Sequence, residues 1–192
     1  MPRKYEFKPD KPTSGLFSKL LLTQKQRRSV LKWVLYALLL LILSILQDVL
    51  LCRMRLFGAT LELIPCVIFL ICVMEGLEQG SVFALCASSV YLFSGSAAGY
   101  HSIVLITALG VGVTFFRQSY LRKGFSAAML CTTAATLVYQ LVAFAVSLFL
   151  SQTTLGRLGA FTFGTVLSLA AAPILYPVIN IISTIGGEAW KE

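Results

Sequence analysis

The chain has 192 residues, 57% of them hydrophobic and only 12% charged, with a mean hydropathy of +0.84. A soluble domain carries about 25% charged residues, so half that share excludes a chain wetted on all sides and points to an integral membrane protein. The formal charge of +8 could suit nucleic acid, but nine of the sixteen Lys and Arg (Arg3, Lys4, Lys8, Lys11, Lys19, Lys25, Arg27, Arg28 and Lys32) cluster where the first long apolar run begins. Basic segments in that position meet anionic lipid headgroups. Membrane lipid is the expected partner, and no nucleic acid.

Residues 1–29 form a polar, basic tail carrying Pro2, Pro9 and Pro12. Within it, Leu16, Phe17, Leu20 and Leu21 beside Lys19 and Lys25 outline a short surface-lying helix. The basic head and the apolar run after it are both too long for a cleaved signal peptide. Six apolar stretches follow, near 30–51, 59–75, 78–95, 100–116, 126–150 and 161–182. Crossing the hydrocarbon takes about 20 apolar residues as a helix. The first, fifth and sixth stretches clear that length. The second to fourth are short or diluted by Gly and Ser, so a re-entrant pair in place of two spans stays open, because irregular backbone survives at depth where protein covers it.

The expected fold is thus an all-α integral membrane protein, a six-transmembrane-helix bundle over 30–185 with a short tail at 186–192. Charge orients it. With the N-terminus inside, Arg117, Arg122, Lys123 and Lys191 join the nine basic residues of the head on the cytoplasmic side. Arg53, Arg55 and Arg157 are left outside. That asymmetry follows the positive-inside rule and puts both termini in the cytoplasm. With no long loops, any work is done within the bilayer or at its surfaces.

The third stretch, GLEQGSVFALCASSVYLFSG, is crowded with small residues. Residues four apart share one helix face, and at that step it reads Gly76, Gly80, Ala84, Ser88. The sixth repeats the device with Ala160, Gly164, Ser168 and Ala172. Little hydrophobic gain draws helices together in lipid, so association comes from close packing and a few hydrogen bonds, which such faces allow. Two uses are open: seams between spans of this chain, or a seat for a partner's helix.

Ionisable residues inside spans are functional candidates, and here they are few. Asp48 and Glu62 lie near span ends, where either could pair with Arg53 or Arg55. His101, the single histidine, opens the fourth stretch as an interfacial residue. Gln140 and Asn180 could hydrogen-bond across helices. The five cysteines (Cys52, Cys66, Cys72, Cys86, Cys131) form no CxxC pair, and four lie in apolar runs as small hydrophobes. Neither a metal site nor a cofactor is expected. GxSxG, HExxH and phosphate-loop patterns do not occur, so an enzyme is not expected.

The run Pro65, Glu75-Gly76, Gly80, Ser94-Gly95 and Gly99-Tyr100-His101-Ser102, then a fourth span ending in Arg117, a short basic loop and Tyr139 in the fifth span, resembles the rod shape-determining protein MreD family of bacteria. The similarity covers roughly 38–182. Family members commonly carry an Asp where this chain has Tyr91, and often a glycine where it has Ala87-Ser88, which marks a divergent branch. The resemblance implies a non-enzymatic subunit of the cell-elongation machinery in the bacterial inner membrane. Such a subunit binds the transmembrane helix of MreC and so links the MreB filament to the peptidoglycan polymerase and transpeptidase. The family bundle is also similar to the substrate-binding S-components of energy-coupling-factor vitamin transporters, so a solute-binding subunit is the alternative. A lipid-handling protein is a third reading.

Overall fold

The computed structural model describes residues 24–51, 62–95, 97, 99–120 and 124–185. Among these every regular element is helical. Helix α1 covers Gln24–Leu46 and runs on into a π-helical turn, Gln47–Leu51; α2 is Leu63–Glu75, α3 Leu77–Phe93, α4 His101–Tyr120, α5 Phe125–Phe149 and α6 Leu158–Ile185. Each helix overlies one of the six expected stretches. The first begins six residues before the expected 30, which places Lys25, Arg27 and Arg28 on helix rather than on tail. The surface helix expected around Leu16–Leu21 lies outside the described residues.

The architecture is organised around α2. At 13 residues it is the shortest helix, about 20 Å long at 1.5 Å per residue. Every residue from Leu63 to Val73 is buried, and α2 packs against each of the other five helices. The reason is compositional. LIPCVIFLICV is apolar all the way round, so no face of it needs water, and a helix of that kind is stable wherever neighbours enclose it. Ile64, Ile68, Phe69, Leu70 and Ile71 form the centre of the core with Tyr36, Phe83, Ile106, Tyr139 and Ile179 from the surrounding helices.

Helices α2 and α3 make a hairpin with a single-residue joint. Gly76 takes φ 90° and ψ 176° there, a conformation that a Cβ would strain. The turn reverses the chain at once, and α3 returns along α2 and on against α4. Helix α6 packs on α2, α1 and α5, with Pro173 and Pro177 on its exposed side.

Candidate functional site

A helix that ends inside a protein leaves backbone N–H groups without partners at its start, and lipid cannot supply them. The N-terminus of α2 meets this condition, since Glu62 contacts Gln140, nine residues before the end of α5. Side chains from two other helical segments resolve it. The Gln47 side-chain oxygen accepts from the backbone nitrogens of Leu63 (2.9 Å) and Ile64 (3.2 Å). Ser168 Oγ accepts from Glu62 N at 3.2 Å. Pro65, third in the helix, has no N–H to satisfy. The Glu62 carboxylate accepts from Gln140 Nε2 at 3.0 Å and lies at the favourable, positive end of the α2 dipole. Tyr91 and Tyr139, both buried, stand beside Glu62, and Tyr139 also lies next to Ser102.

The opposite end of α2 carries a second polar group. Lys32 Nζ lies 2.5 Å from Glu75 Oε2 and 3.3 Å from Gln79 Oε1. Tyr36, one turn along α1 from Lys32, donates its hydroxyl to the other Glu75 oxygen. The two charged side chains are 6% and 4% exposed, so this is a buried, fully engaged ion pair. Trp33, Tyr36 and Phe83 stack edge and tilted against one another beside it, with centroids 5.8 to 6.3 Å apart. The pair clamps the start of α1 to the α2–α3 turn.

The two small-residue faces lie inside the bundle. In α3, a Cβ on Gly80 would meet the Cys72 backbone oxygen at 3.0 Å and its Cα at 3.2 Å, so α3 rides directly on α2 there. Cys72 Sγ bonds the Gly80 oxygen at 3.2 Å. Ala84 is fully buried and faces Gly110 of α4, and Ser88 Oγ reaches Thr107 Oγ1 at 3.3 Å. Thr114 of α4 donates to the Cys72 oxygen at 3.2 Å. Gly76 forms the turn. In α6, Gly164, Ser168 and Ala172 are buried and Ala160 is half-buried, with Ser168 on the start of α2. Both stripes are filled by helices of the same chain.

Other sequence candidates separate. Gln140 bonds across helices, whereas Asn180 is exposed, and its backbone oxygen accepts from the Ser183 and Thr184 hydroxyls of its own helix. Glu62 finds Gln140; the expected partners Arg53 and Arg55 lie outside the described residues. His101 is half-buried, and among the described residues its Nε2 has no partner. Among the described residues no group of three His, Cys, Asp or Glu could hold a metal ion.

What the bundle presents outward is apolar. Helix α1 is attached along one stripe, Lys32, Tyr36, Leu40, Leu43 and Gln47, all buried. On its far side Leu31, Val34, Leu38, Leu41 and Ile45 repeat at alternating steps of three and four, and each is between 50 and 57% exposed. That spacing is the seam of a left-handed helix pair. The repeat was readable in the sequence, but nothing there says that this face points away from the other helices. Between α1 and α3 runs a lateral apolar groove of about 540 Å³, lined by Trp33, Ala37, Leu40, Ser44, Phe83 and Ala87 among others.

Among the described residues four helices are long and apolar enough to cross a membrane: Arg27–Val49, His101–Ser119, Phe125–Phe149 and Leu155–Ile185; Leu63–Glu75 and Leu77–Phe93 are shorter. The fold and its apolar exterior define an all-helical membrane protein. Comparison with protein-family models, curated proteins and solved structures finds no match for the chain.

Proposed function

We propose that this chain is a non-enzymatic adaptor of the bacterial cell membrane, a divergent MreD-type subunit with six spans and both termini in the cytoplasm. Its partner is the transmembrane helix of MreC. Through that contact it couples the MreB filament inside to the peptidoglycan polymerase and transpeptidase, and so to cell shape. The observation that carries this reading is the outward seam of α1, Leu31–Val34–Leu38–Leu41–Ile45, exposed along its length. The interior polar groups Lys32, Glu75, Glu62 and Gln140 are engaged with one another, and the small-residue stripes are covered. The feature left to offer another protein in the bilayer is a helix face, and a helix face recognises a helix.

The test is co-purification of MreC with Leu38→Ala/Leu41→Ala, which flattens the seam without touching the core. The adaptor reading expects the yield of MreC to fall at least fivefold while the chain keeps its melting temperature. Unchanged recovery would remove the seam from the account.

A second reading, a solute-binding subunit like an S-component, is favoured by one feature: the polar group Glu62, Gln140, Gln47, Tyr91 and Tyr139 at the buried start of α2. It expects one member of a vitamin panel to raise the melting temperature of the detergent-purified chain, since a ligand that binds only the folded state stabilises it. The adaptor reading expects no such shift.

A further inference from the structure

The groove between α1 and α3 has dimensions that narrow its occupant. Its lining runs from Trp33 to Ile45 on α1 and from Val82 to Val90 on α3. Twelve helical steps are about 18 Å, slightly more than half of the roughly 30 Å hydrocarbon thickness. The groove is about one leaflet long, the reach of a single extended acyl chain.

Its chemistry agrees with its shape. Ala37, Leu40, Leu41, Ile45, Val82, Phe83, Ala87 and Val90 are apolar, with Ser44 and Cys86 the polar exceptions. The end marked by Trp33 lies about 9 Å along α1 from Arg27, which is exposed and falls on the side of α1 that carries Ile45. Indole rings favour the headgroup level, and an exposed arginine there attracts anionic headgroups.

We infer that the α1–α3 groove holds one acyl chain of an anionic phospholipid, its phosphate drawn to Arg27 and its tail lying from Trp33 to Ile45. The site is separate from the outward seam, although the two share Leu41 and Ile45 as a rim, and it stands whether or not the adaptor reading holds.

The probe is fluorescence of Trp33 in the full chain carrying Trp190→Phe, reconstituted in phosphatidylcholine bilayers. Phosphatidylglycerol brominated on its acyl chains, which quenches indole on contact, is compared with brominated phosphatidylcholine at equal mole fraction. The brominated phosphatidylglycerol is expected to quench at least twofold more effectively. Arg27→Gln should equalise the two lipids, whereas Arg28→Gln, on the far side of α1, should leave the difference in place. Ala37→Leu/Ser44→Leu, which narrows the slot from a half-open helix face, should reduce quenching by both while circular dichroism and melting temperature stay unchanged. Equal quenching by the two lipids in the parent chain overturns the inference, as does quenching that ignores the narrowing. Protection of Trp33 from both lipids also overturns it, and points to a second copy or another helix in the groove.

Discussion

The side-chain oxygen of Gln47 stands 2.9 Å from the backbone nitrogen of Leu63, across sixteen residues of chain. It also takes the next amide, Ile64, at 3.2 Å. One residue at the end of α1 thereby satisfies two of the orphan donors of a helix that starts inside the protein. Gln47→Ala removes the acceptor and leaves two buried N–H groups unpaired, at about 1–3 kcal/mol. Hydrogen exchange at Leu63 and Ile64 should accelerate at least tenfold, with protection elsewhere in α2 less affected. Gln47→Glu, which keeps an acceptor oxygen, should restore most of the protection; if it does not, the cap is not what holds α2.

The ion pair at the other end is tested by three variants. Lys32→Met leaves Glu75 buried without its cation, and breaking a buried pair on one side costs about 3–5 kcal/mol. Glu75→Gln should cost less than Lys32→Met, because Gln can still accept from Tyr36 and from Lys32. Lys32→Met/Glu75→Met should recover much of the loss, since apolar replacement of a whole buried pair is often neutral. Thermal unfolding in detergent reads all three. A double variant as unstable as the worse single one would mean that the pair does more than close the α1–α2 contact.

Glycines 80 and 112 make a matched comparison. A Cβ on Gly80 would press against the backbone of Cys72, whereas one on Gly112 would meet nothing within 4 Å. Gly80→Ala must push two backbones apart and should destabilise by about 1–3 kcal/mol. Gly112→Ala should be neutral or stabilising by up to about 1 kcal/mol, as alanine is the better helix former. Equal melting temperatures for the two variants would show that α3 and α2 are not in backbone contact.

How much of this was legible in the sequence follows from what each feature depends on. The helices were visible because each is a continuous apolar run, and the step of four at Gly76, Gly80, Ala84 and Ser88 marked a close-packed face. Which helix lies at the centre was not. In water an all-apolar helix such as Leu63–Val73 would announce its burial, but in lipid the outward helices are apolar as well, so the signal is lost. The short length of α2 was the remaining clue. Lys32 reads in the sequence as one more basic charge of the cytoplasmic head, because its pairing with Glu75 spans 43 residues and depends on where α1 docks. Gln140 was marked as an interhelical donor, yet its acceptor, Glu62, follows only from α2 stopping short of the end of α5.

The central claim is that a partner helix lies along the outward seam of α1. Single cysteines at positions 31, 34, 38 and 41, paired in turn with cysteines along the MreC transmembrane helix in membranes, test it directly by disulfide trapping. Trapping is expected at these positions with a period near 3.5, and not at positions 84 or 168, which face α4 and α2. Trapping at none of the α1 positions, or trapping at 84 and 168 in their place, contradicts the account.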